Sequence, residues 1–113
     1  MEERIKQVSE IASDKKGYIN GIKYYYDIIM RAPGLSEDTT LFRALMSFGT
    51  DLDELIKFED STSVMGLSEI FDKFYPEGEI HPLLYSANLS VALDGISECL
   101  YRLKKEFHIG KFS

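Results

Sequence analysis

A single cysteine, Cys99, in 113 residues leaves no partner for an intramolecular disulfide. That removes the disulfide-scaffold class and fits a reducing compartment. No window approaches the roughly 20 apolar residues needed to cross a bilayer. The opening stretch MEERIKQVSE is charged and lacks an apolar h-region, so it does not read as a secretory signal. Low-complexity tracts, repeats and flexible linkers are also missing. The expectation is one cytoplasmic domain over residues 1–113 with no membrane contact. A chain of this size buries roughly two-thirds of its unfolded surface, enough for a core without metal or cofactor.

Catalytic signatures are equally scarce. No glycine-rich phosphate loop, GxSxG elbow or Walker lysine occurs. DLDELIKFEDST begins like a calcium loop, but Leu55 takes a ligand position, Ile56 replaces the required glycine and Thr62 stands where the bidentate glutamate belongs. His81 and His108 share no helical ligand spacing, and His81 precedes Pro82 at the border of the last helix. Cys99 follows Ile96 by three residues, which points it toward the core as a small apolar side chain. No metal, cofactor or catalytic residue is expected from these patterns.

What is present is helical periodicity. Ile5, Val8, Ile11 and Ala12 predict a helix over Glu3–Lys15, with Gly17 as its stop. Residues 18–31 read two ways. As a helix they put Ile22, Tyr25, Tyr26, Ile29 and Met30 on one face, opposite Lys23, Asp27 and Arg31. As a strand they alternate perfectly, with Asn20-Gly21 as a hairpin turn. The short span between Gly17 and Asn20 favours helix. Ser36 is the expected N-cap of the next element, with Glu37 and Asp38 in its first turn. Leu41, Leu45, Phe48, Leu52 and Leu55 then form a seam that runs past Gly49-Thr50 and favours a single helix over two. A shorter helix is expected from about Val64 to Tyr75, ended by Pro76 and Gly78. Leu89, Leu93, Ile96, Leu100, Leu103 and Phe107 predict a long helix from about Leu83, with Gly95 marking a close helix contact. The fold class is all-α, a single-domain bundle of about five helices with a long C-terminal helix. The alternative is α+β with a small hairpin around Asn20-Gly21.

Positive charge is almost absent from the middle of the chain. Asp51, Asp53, Glu54, Glu59, Asp60, Glu69, Asp72, Glu77 and Glu79 are opposed there only by Lys57 and Lys73. This stretch therefore carries −7 of a net −6, and the remainder is +1. Such a field repels phosphate and attracts basic proteins, which argues against direct nucleic-acid binding. Helix-start acids have a local explanation, whereas Glu59, Asp60, Glu77 and Glu79 exceed what local stability requires.

Within this region, FDKFYPEGE resembles the helix-ending aromatic–Tyr–Pro segment of bacterial colicin-type DNase immunity proteins, carried by Phe74, Tyr75, Pro76, Glu77 and Gly78. In that family two tyrosines, flanked by acids, form the centre of the toxin interface. Here Phe74 replaces one of them, Phe71 falls where the preceding acid would stand, and the chain has an extra N-terminal portion. The resemblance implies a small acidic inhibitor of the immunity or antitoxin type that covers the basic surface of a toxin. Nucleases, basic where they grip nucleic acid, are the best-matched class. The expected partner-binding residues are Asp51, Asp53, Glu54, Glu59, Asp60, Glu69, Asp72, Tyr75, Glu77 and Glu79, with Tyr18, Tyr24 and Tyr85 adding aromatic contact where exposed. A second resemblance competes with it. Arg102 and His108 are spaced like the Arg-and-His signature of HEPN-type ribonucleases, small all-α proteins that cleave RNA, although Leu103 stands where a polar residue follows the arginine. The third reading is a non-catalytic adaptor bundle.

Overall fold

The computed structural model describes residues 5–11, 13–35, 38–75 and 87–109. It contains four α-helices, α1 (Lys15–Met30), α2 (Thr39–Phe58), α3 (Ser61–Phe74) and α4 (Ala87–Glu106), and no strand among those residues. The chain is thus all-α, with four α-helices among the described residues where about five were expected.

The first expected helix is replaced by a different arrangement. Residues 5–7 are irregular, Val8–Glu10 forms one 3-10 turn, and α1 begins only at Lys15. The Asp14 carboxylate accepts from the Gly17 N–H at 2.7 Å, so a strong N-cap starts the helix where a stop was expected. Gly17 lies buried in the first turn of α1. Ile5, Val8 and Ile11 still pack against the core, but as side chains of a docked irregular segment. Two tyrosines of α1 hold that segment by its backbone. The Lys6 N–H donates to the Tyr24 hydroxyl at 3.0 Å, and the Tyr25 hydroxyl donates to the Lys6 carbonyl. Helical spacing cannot separate these cases, because an apolar residue every third position suits a 3-10 turn as well.

Residues 18–31 are helical through Met30, not a hairpin. Tyr18, Ile22, Tyr25 and Ile29 are buried, and Lys23 pairs with Asp27 at 2.9 Å across one exposed turn. The N-cap of α2 is Asp38, whose carboxylate accepts from the Leu41 N–H at 2.9 Å. Ser36 and Glu37 lie outside the described residues. The Leu41–Leu55 seam is continuous and fully buried in one helix that passes straight through Gly49 and Thr50. The Thr50 hydroxyl donates back to the Met46 carbonyl at 3.2 Å, which satisfies it within the helix.

α2 and α3 form a tight antiparallel pair joined by only Glu59 and Asp60. Glu59 adopts a left-handed conformation at φ 47° to end α2, and Asp60 caps α3, its carboxylate accepting from the Ser63 N–H at 3.3 Å. α3 therefore begins at Ser61, a turn before the expected Val64. α1 packs chiefly on α4, and these two pairs close around Phe48, whose ring meets those of Tyr26, Phe71 and Phe74. In α4, Leu89, Leu93, Ile96, Leu100 and Leu103 are buried as expected, and Cys99 is buried with them. Gly95 does mark a close approach, because a Cβ there would collide with the Tyr25 ring of α1.

Candidate protein-binding surface

The acids of the central stretch are distributed by the α2–α3 hairpin. On α2, Asp51, Glu54 and Phe58 follow steps of three and four and share one face. On α3, Met65, Glu69 and Asp72 do the same on its solvent side. The helices touch where half-buried Asp51 meets Gly66, its Oδ2 only 2.6 Å from where a Cβ on that glycine would stand. Asp53 lies apart, on the edge of α2 near Tyr26, whose phenol is pushed up by burial first and by Asp53 second. None of Asp51, Asp53, Glu54, Glu59, Glu69 or Asp72 pairs with a base among the described residues. Asp60 is committed to capping, so it is not surplus to local stability as its sequence position implies. Glu77 and Glu79 lie outside the described residues, as do Pro76, Gly78, His81, Pro82 and Tyr85.

Tyr75 does not stand free in this rim. It is half-buried against Phe71, with ring centroids 5.3 Å apart, and its hydroxyl donates to the Asp94 carboxylate of α4 at 2.8 Å. Burial and this hydrogen bond raise its pKa. Phe74 is a core residue. Of the other tyrosines, Tyr18 is buried, and Tyr24 is half-buried and engaged by Lys6.

The exposed aromatic of the hairpin is Phe58, which periodicity did not single out. It is 65% exposed in the last turn of α2, the most open large apolar side chain among the described residues. Ile56, half a turn earlier, and Met65, in the second turn of α3, are also exposed, at 41% and 49%. Phe58 shares its face of α2 with Glu54 and directly precedes Glu59, whereas Ile56, two residues earlier, projects from the opposite side of the helix. The only base near them in sequence, Lys57, places its ammonium 5.7 Å from the Phe58 ring centroid. Spacing gave no signal for Phe58, because three residues past Leu55 is a step that suits the buried row equally well.

The ribonuclease-type pair sits elsewhere. Arg102 lies on the exposed side of α4, its guanidinium 5.9 Å from the Tyr18 ring centroid and 3.5 Å from the Glu98 carboxylate. A hydrogen bond with Tyr18, then Glu98, raises its pKa further. His108 is exposed just beyond α4 at φ 55°. Its N–H and that of Ile109 cap the helix end by donating to the Lys105 and Lys104 carbonyls. Among the described residues no cluster of three or more His, Cys, Asp or Glu is placed to hold a metal ion, and no helix is long and apolar enough to cross a membrane. No protein-family model, curated protein or solved structure matches the chain.

Proposed function

We propose that the protein is a small acidic binding protein of the immunity or antitoxin type, which neutralises a basic toxin by covering its positive surface. A nuclease is the best-matched toxin class, since its nucleic-acid groove offers the required charge. The observation that carries this reading is the closed end of the α2–α3 hairpin, where exposed Phe58 shares one face of α2 with Glu54 and directly precedes Glu59, acids that pair with no base among the described residues. An exposed aromatic in a mainly acidic rim, with Lys57 beside the ring, matches the anatomy of a tight interface. The apolar centre supplies affinity, and the acids supply steering and orientation. Holding like charges together mildly destabilises the free protein, which a basic partner would relieve.

The test replaces Glu54, Glu59, Glu69 and Asp72 with lysine and leaves the Asp60 cap intact. Affinity for the basic partner recovered by pull-down from the native cell should fall at least tenfold, mainly through slower association. The salt dependence of association should flatten as well. Unchanged affinity and salt response in that variant would refute the reading.

A further inference from the structure

The open end of the same hairpin carries the opposite chemistry. Between the start of α2 and the end of α3 lies a cleft of about 470 Å³, within the range of about 300–1,000 Å³ typical of small-molecule sites. Its apolar surface comes from Leu41, Ala44, Ile70 and Phe74. Arg43 of α2 and Lys73 of α3 line it as well, so each of the two helices contributes one cation. Neither cation forms an ion pair among the described residues.

Local structure explains only one of these charges. Lys73 is in the last turn of α3, where the helix dipole favours a cation. Arg43 is in the second turn of α2, toward the end whose dipole favours anions, so the helix gives it no support. The Asp38 carboxylate, which also lines the cleft, is engaged by the Leu41 N–H. Thr40 and Ser47 add hydroxyl donors to the lining. In a protein of net charge −6, two cations against the single carboxylate of Asp38 around one apolar cleft oppose the general field. We infer that this cleft binds a small amphipathic carboxylate. Its head would sit between Arg43 and Lys73, and its hydrocarbon tail would lie along Ala44, Ile70 and Phe74. The site lies at the other end of the hairpin from Phe58 and Glu59, although Glu69 and Asp72 neighbour its Ile70 and Lys73 on α3.

Dodecanoate below its micelle concentration serves as the probe, followed by isothermal titration calorimetry. It should bind saturably at one per chain. Arg43→Glu combined with Lys73→Glu should weaken binding at least tenfold, and Ala44→Phe, which fills the apolar part of the cleft, should weaken it similarly. Dodecyltrimethylammonium has the same tail and the opposite head, and it should bind at least tenfold more weakly than dodecanoate. The proposal is overturned by non-saturable binding, by equal affinity for the two head groups, or by undiminished affinity in the double charge variant. The charge variant alters only surface side chains, so it decides the matter even where Ala44→Phe perturbs folding. Circular dichroism checks that each variant remains helical.

Discussion

At the scale of single residues, glycines report how closely the helices approach. Gly95 and Gly66 are both helical, yet they face opposite kinds of neighbour. A Cβ at Gly95 would meet the fixed ring of Tyr25, whereas at Gly66 it would meet the end of the Asp51 side chain, which can swing aside. Alanine gains about 1 kcal/mol over glycine in a helix, and overpacking a core costs about 1–3 kcal/mol. Gly66→Ala should therefore leave stability unchanged or raise it by up to about 1 kcal/mol, and Gly95→Ala should lower it by up to about 2 kcal/mol. Urea denaturation midpoints of the two variants check this contrast. Cys99 gives a second prediction. Burial, with Glu98 adding and Arg102 opposing, raises its thiol from 9.0 to about 12. Between those values the folded chain keeps a proton that the unfolded chain releases, so stability falls as pH rises. The contribution is complete below pH 9.0 and is lost on passing through about 12. Replacing Cys99 by alanine lowers stability overall, but its decline with pH across that window should be shallower in urea melts. Tyr25 is also raised to about 12, by burial first and by Cys99 second, so its own decline persists without the cysteine but is reduced.

At the scale of elements, the two-residue connection between α2 and α3 decides where charge is presented. Glu59 and Asp60 are sequence neighbours with different work. Asp60 satisfies the orphan Ser63 N–H of α3, and Glu59 only has to adopt a left-handed backbone. Asp60→Ala should cost about 1 kcal/mol, the usual value of an N-cap, and Asp60→Asn should cost much less. Glu59→Gly should stabilise modestly, since glycine adopts φ 47° without steric strain. Thermal melts of the three variants separate the roles, and an Asp60→Ala melt equal to wild type would contradict the capping assignment. The same connection exposes Phe58, because α2 ends at that residue and nothing from α3 reaches back over it.

At the scale of the whole molecule, the α2–α3 hairpin is polar in the electrical sense, with an acidic apolar tip and a cationic cleft at opposite ends. Phe58→Ala should leave folding stability within about 0.5 kcal/mol, because the side chain is exposed, and should cost a basic partner about 2 kcal/mol or more of binding. Tyr75→Phe should loosen the α3–α4 contact by about 0.5–1.5 kcal/mol through the lost bond to Asp94. Its effect on partner affinity should be smaller than that of Phe58→Ala, and surface plasmon resonance on both variants ranks them. The sequence by itself determined the helical class, the buried seams of α2 and α4, the core positions of Phe74 and Cys99, and the concentration of acid between Asp51 and Glu79, because periodicity and charge are local properties. It could not place the start of α1, since the cap at Asp14 and the docking of residues 5–11 on Tyr24 and Tyr25 depend on which partner an apolar row meets. Nor could it tell Phe58 from a core phenylalanine or Tyr75 from an open one. That choice belonged to the tertiary structure, which turned Tyr75 toward Asp94 and left Phe58 uncovered by any helix among the described residues.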